Sequence, residues 1–107
     1  MLPLTVSLVQ GATRWHDAPA NRDYYGELVR RARGSDLVVL PETFLSGFSN
    51  DTRASADTMD GEGIAWLRAL AAEVGAVICG SVAIREDEVV YNRLLWMRPD
   101  GTFEQYD

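Results

Sequence analysis

The stretch VVLPETFLSGF, residues 38–48, decides the fold. With Asp36 and Leu37 in front of it, DLVVL is a short continuous apolar run. Such a run marks a strand covered on both faces, as in a parallel sheet. Pro41 cannot donate to a hydrogen-bond ladder, so the strand has to stop there. Glu42 follows at once, and the chain then turns polar and glycine-bearing. A parallel strand that ends on a carboxylate presents it at the C-terminal rim of the sheet, where open α/β sheets place their ligands.

Working outward, residues 4–10 (LTVSLVQ) predict a first strand and residues 11–16 a loop. Asp17 is placed to cap a helix, with Pro19 tolerated in its first turn. Tyr24, Tyr25, Leu28, Val29 and Ala32 recur at helical spacing, with Arg22, Asp23, Glu27, Arg30 and Arg31 on the other side. Arg30, Arg31 and Arg33 suit the negative end of the helix dipole, and Gly34 supplies the stop. Residues 43–58 are rich in Ser, Asn, Asp and Thr with little periodicity, which predicts a long loop; ordered loops of that length are often functional. Asp60 is the expected cap of a second helix, striped by Ile64, Leu67, Leu70, Ala71 and Val74 and closed by Gly75. Residues 76–84 (AVICGSVAI) predict a third strand, 86–88 a turn, 89–97 (VVYNRLLWM) a fourth strand, 98–101 (RPDG) a tight turn and 102–106 the start of a fifth. The order β-α-β-α-β-β-β is that of an α/β chain. Two βαβ crossovers dictate neighbouring parallel strands, and a hairpin run follows.

The 107 residues suit one small domain with a real core. The net charge is -6, and the ten basic residues are scattered and all arginine. That argues against nucleic acid as a partner, because the clustered basic footprint is missing. No apolar run approaches the length of a membrane span. The first residues lack a basic region and a small-residue cleavage site, so a cytoplasmic location is the expectation. A single cysteine, Cys79, excludes an internal disulfide.

Glu42 is the first candidate for chemistry. In a partly dry rim pocket it would serve as a general base; in open water it would be a solvated strand end. Cys79 lies mid-strand among Val and Ile, a setting that favours inert packing over a reactive thiolate. His16, the one histidine, would be needed for a triad with Ser46 or Ser81, but no nucleophile-elbow pattern surrounds either serine. Glu86, Asp87 and Glu88 lack the spacing of metal ligands and read as a solvated hairpin tip. Gly61 and Gly63 in DGEG precede a helix without a following lysine, so they read as a cap and not as a phosphate cradle.

Taken together, LTVSLVQ, VVLPETFLSGF, AVICGSVAI and YNRLLWMRPDGTFEQYD resemble the opening of a nitrilase-superfamily (carbon–nitrogen) hydrolase, closest to the omega-amidase branch. The resemblance runs over the whole chain. It implies an α-β-β-α sandwich, of which residues 1–107 would form the N-terminal half, as a partial carbon–nitrogen hydrolase domain. It further implies a homodimer in the full-length enzyme, a small-molecule amide substrate, and neither metal nor organic cofactor. Such enzymes use a Glu–Lys–Cys triad, and Glu42 matches the glutamate. The lysine and the nucleophilic cysteine would follow the fifth strand, beyond Asp107, and Cys79 does not match the nucleophile. The implied reaction is hydrolysis of an omega-amide such as 2-oxoglutaramate to acid and ammonia through a thioester, with the 107 residues inactive alone. The alternative is a non-catalytic α/β binding or interaction module that pairs through an open sheet edge.

Overall fold

The computed structural model describes residues 2–107. Along the chain lie β1 (Val6–Leu8), α1 (Ala18–Arg31), β2 (Leu37–Val39), α2 (Thr52–Ser55), α3 (Glu62–Val74), β3 (Val77–Glu86), β4 (Val89–Met97) and β5 (Phe103–Tyr106). All five strands join one sheet in the order β1-β2-β3-β4-β5. β1, β2 and β3 run parallel, and β4 and β5 continue antiparallel. The expected order holds, with one addition: the loop after β2 contains the four-residue α2.

Local sequence chemistry accounts for several element ends, although α1 stops at Arg31 with Ala32 as its C-cap, ahead of the expected Gly34. The Asp17 carboxylate accepts the Ala20 N–H at 3.1 Å and caps α1, with proline in the first turn. Gly75, at φ 67°, closes α3 with its N–H on the Ala71 carbonyl. The cap expected at Asp60 is not found. Gly61 is the N-cap of α3 and has no side chain to offer. The carboxylate of Asp57 reaches forward instead and accepts the N–H groups of Thr58 and Gly63, both at 2.8 Å. The tip of the β3–β4 hairpin places Asp87 and Glu88 at φ 51° and 66°. Two left-handed residues in succession match the right-handed twist of a two-residue hairpin.

The two faces of the sheet differ. Tyr25 and Val29 of α1 and Ile64, Leu67, Leu70 and Val74 of α3 cover one face, packed on Val38, Leu40, Ile78, Val82, Ile84, Leu95 and Met97. On the other face Val6, Leu8, Leu94, Trp96 and Tyr106 are exposed. The continuous apolar run of β2 predicts burial on both sides, yet Leu37 and Val39 are only half-buried. Those side chains face the open side, where residues 2–107 place no second layer.

One cation is drawn into the core. Arg93 on β4 is 1% exposed and donates to Asp107 at 2.6 and 3.0 Å and to Glu86 at 2.8 Å. Its guanidinium carbon also lies 5.4 Å from the centroid of the Tyr91 ring, within cation–π range. The hydrogen bond from Arg93 holds the Asp107 carboxyl below the usual carboxylate range. A carboxyl depressed in the folded state contributes stability above its unfolded pKa of about 3.9 and loses it as the pH falls through the lower folded value. Thermal melts between pH 5 and pH 2 should therefore show a steeper loss below about pH 4 in the parent protein than in Arg93→Met. Equal slopes would mean that the pair does not couple to folding.

Gly80 supplies a second test. A Cβ built there would lie 3.0 Å from Leu40 Cβ and from a ring carbon of Phe44, both buried. Both would have to shift by a few tenths of an ångström within the packed core, so Gly80→Ala should lower stability by about 1–3 kcal/mol in urea titrations. An unchanged midpoint would show that the notch is looser than its geometry.

Candidate functional site

The site grows from the free edge of β3. In regular pairing, two residues of β2 answer two residues of β3. The Leu40 N–H donates to the Cys79 carbonyl at 2.7 Å, and the next carbonyl on that edge, Ser81, accepts from Phe44 at 3.3 Å. From 40 to 44 the chain advances four residues, while β3 advances two. The two extra residues set Pro41-Glu42-Thr43 against Gly80 alone, thrown outward as a bulge that re-aims side chains. Pro41 has no N–H to lose there. Thr43 takes φ 49°, unusual for a β-branched residue, and its N–H donates to Ser81 Oγ at 2.9 Å. Backbone strain of this kind collects at functional sites.

Beyond the bulge the chain locks down. Phe44 is fully buried, edge-on to Tyr25 and beside Trp66. The buried Asn21 of α1 donates to the carbonyls of Leu45 and Arg14 at 2.9 and 2.7 Å and accepts the Arg14 N–H at 2.7 Å. Further along, Asp57 rejoins the same edge of β3: its N–H donates to the Ala83 carbonyl, and its carbonyl accepts from Arg85. The long loop of the sequence reading is thus pinned at both ends to one strand.

Glu42 stands on this bulge with its side chain exposed. Asn92 Nδ2 donates to Glu42 Oε1 at 2.8 Å from β4, two strands away. The two residues line both hollows at this end of the sheet. One, of 210 Å³, also has Thr43, Phe48, Thr52 and Tyr91 in its wall. The other, of 340 Å³ on the open face, has Cys79, Leu94 and Tyr106. The dry setting anticipated for Glu42 is not provided by residues 2–107.

The remaining candidates are placed apart from this pair or used for structure. Cys79 is half-buried in the open-face hollow, and burial pushes its thiol up, away from the thiolate. His16 Nε2 pairs with Ser49 Oγ at 2.6 Å, and its ring stacks on Trp15. Ser46 is buried and its hydroxyl donates to the Gly47 carbonyl, while the Ser81 hydroxyl accepts from Thr43. Ser46 meets His16 only through the backbone, its carbonyl accepting the His16 N–H at 2.8 Å, so neither hydroxyl pairs with the imidazole. No group of three acidic, cysteine or histidine side chains able to hold a metal occurs among the described residues. Sequence reasoning gave no role to Asn92 or Asn21. The available signal was an amide inside the apolar run VVYNRLLWM; its partner could not be read from sequence because it lies 50 residues away.

Comparison with known proteins places this geometry in context. Residues 5–107 match the carbon-nitrogen hydrolase family. The chain is 36% identical to the omega-amidase YafV of Escherichia coli K12 over 104 residues, covering 97% of this chain and 40% of that protein. It is likewise 36% identical to YafV of Yersinia enterocolitica, covering 41% of it. The chain thus spans about two fifths of the length of these relatives. A crystal structure of a CN-hydrolase superfamily protein from Xanthomonas campestris, with an arsenic adduct in its active site, superposes with a TM-score of 0.95 at 56% identity, covering all of this chain and 41% of that one. The fold is shared more widely, as with yeast Nit3 at a TM-score of 0.87 and 24% identity.

The tie between Thr43 and Ser81 is open to direct measurement. Ser81→Ala removes the acceptor and should cost about 1 kcal/mol in a urea titration. A loss near zero would mean that water replaces the hydroxyl without penalty.

Proposed function

We propose, from the premise that the chain belongs to the carbon–nitrogen hydrolase family, that Glu42 is the general base of an amidase acting on an omega-amide such as 2-oxoglutaramate. The observation that carries this reading is the carboxylate itself. It emerges from a strand-end bulge, lines a hollow at the C-terminal rim of parallel strands, and has one oxygen fixed by Asn92. A base mounted on rigid elements and aimed into a concavity is what proton transfer requires.

In the proposed reaction Glu42 accepts the proton of a cysteine thiol as sulfur attacks the amide carbon. The same proton goes to the departing nitrogen, which leaves as ammonia, and a thioester remains. Water then attacks the thioester, again deprotonated by Glu42, and the acid and the free thiol are released. A lysine ammonium would stabilise the oxyanion of each tetrahedral intermediate. These 107 residues contain no lysine, and their one thiol, Cys79, is disfavoured as a thiolate by burial. The nucleophile and the cation would therefore come from polypeptide outside them. The chain would be the N-terminal part of the catalytic domain, inactive alone, and the full-length enzyme a cytoplasmic homodimer. Support for the omega-amide class comes from the two omega-amidase relatives at 36% identity.

A second reading, a non-catalytic interaction module, has one observation in its favour. The sheet face bearing Leu8, Leu94, Trp96 and Tyr106 is apolar and exposed, as interaction surfaces often are.

Ammonia release from 2-oxoglutaramate tests the enzymatic reading. The 107-residue chain should release none, and the full-length protein should turn over. In the full-length protein Glu42→Gln should lower kcat by at least about 100-fold with its melting temperature kept, and Cys79→Ala should leave kcat unchanged. Turnover surviving Glu42→Gln would remove the base, and turnover lost in Cys79→Ala would move the nucleophile.

A further inference from the structure

We propose that Asn92 is a positioning residue for this reaction: it holds one oxygen of the Glu42 carboxylate so that the other faces the substrate as proton acceptor. The inference rests on the reading of Glu42 as the base and adds what orients it.

Glu42 is exposed and sits on a bulge, so nothing in its own segment restricts its rotamers. A base free to wander spends little time aligned, and a displacement of about 1 Å can cost 100-fold in rate. Asn92, itself exposed, answers this from a strand paired on both sides. It lies mid-strand in β4, in register with Ala83 of β3, and its Nδ2 meets Oε1 at 2.8 Å. Its neighbours are fixed as well, since Arg93 is clamped by Glu86 and Asp107.

The chemical identity of the donor also fits the task. An arginine or lysine in this place would pair with the carboxylate and strongly favour its charged form, weakening it as a base. A neutral amide orients without adding a charge. It donates to a single oxygen, Oε1, and leaves Oε2 for the proton. Because Glu42 and Asn92 border both hollows, the bond lies on the ridge between them, where a reacting group from either side would meet the free oxygen.

The test uses the full-length protein, with ammonia release from 2-oxoglutaramate as the readout. Asn92→Leu keeps the approximate shape and removes the donor. It should lower kcat by about 10- to 100-fold, the range found when an orienting partner is lost, with KM changed less than about twofold. Asn92→Asp should also be impaired at pH 8, where two carboxylates face each other. Its kcat relative to the parent should climb as the pH falls towards 5, because a protonated carboxyl can again donate to Oε1. A purely structural role would not produce that pH-dependent recovery. If Glu42→Gln is inactive while Asn92→Leu keeps the parental kcat, the positioning role is overturned and the base survives. If Asn92→Leu raises KM at constant kcat, Asn92 contacts substrate and the proposal fails. A pH-independent ratio for Asn92→Asp also overturns it. If Glu42→Gln is active, the base itself is wrong and the positioning role falls with it.

Discussion

Three carbonyls on one edge of β3 govern the rim of this protein. Cys79, Ser81 and Ala83 present their oxygens at regular spacing, and they accept from Leu40, Phe44 and Asp57 in turn. A buried carbonyl without a partner is costly, so each of these bonds is close to obligatory. The spacing of the acceptors is fixed by the strand, whereas the spacing of the donors, at 40, 44 and 57, is irregular. The chain resolves the mismatch by expelling what does not fit. Pro41-Glu42-Thr43 carries one surplus of two residues, and the segment that includes α2 is the other. The exposed carboxylate is thus a product of ladder geometry. The left-handed backbone of Thr43 is the local cost of making the bulge so short.

The same geometry divides the labour between the two faces of the sheet. The helix-covered face holds the apolar core, including the Phe44 ring lodged over Gly80. The opposite face carries Cys79, Leu94, Trp96 and Tyr106, and it borders the ridge where Glu42 and Asn92 meet. Stability is therefore concentrated on one side and the candidate chemistry on the rim of the other. A group added to the open face can approach the carboxylate without disturbing the packing that holds it.

Elements whose cause is local were legible in the sequence. The Asp17 cap, the Gly75 stop and the bounds of β4 follow from residues next to them. The turn expected at residues 86–88 was legible for the same reason, although it consists of Asp87 and Glu88 alone, with Glu86 ending β3 and accepting from Arg93. Readings failed where the cause is tertiary. Asp60 has the right composition for a cap, but Asp57 takes the role because its pairing with Ile84 delivers it to the helix start. Leu37 and Val39 are apolar enough for two-sided burial, yet a strand run cannot report whether a second layer lies over it. Glu42 could be singled out from its place after a strand and a proline. Its partner Asn92 could not, because only the assembled sheet brings the two together.

The position of these anchors along the chain has a consequence for the order of assembly. Ser81 and Asn92 both belong to the β3–β4 hairpin, whose contacts are close in sequence, while Glu42 precedes them by 39 and 50 residues. Local contacts form sooner than distant ones. A polypeptide leaving the ribosome exposes residue 42 well before the hairpin exists, and for that interval the carboxylate has nowhere to dock. The bulge at residues 41–43 is thus a late event in folding, completed only when a younger stretch of chain arrives to receive it.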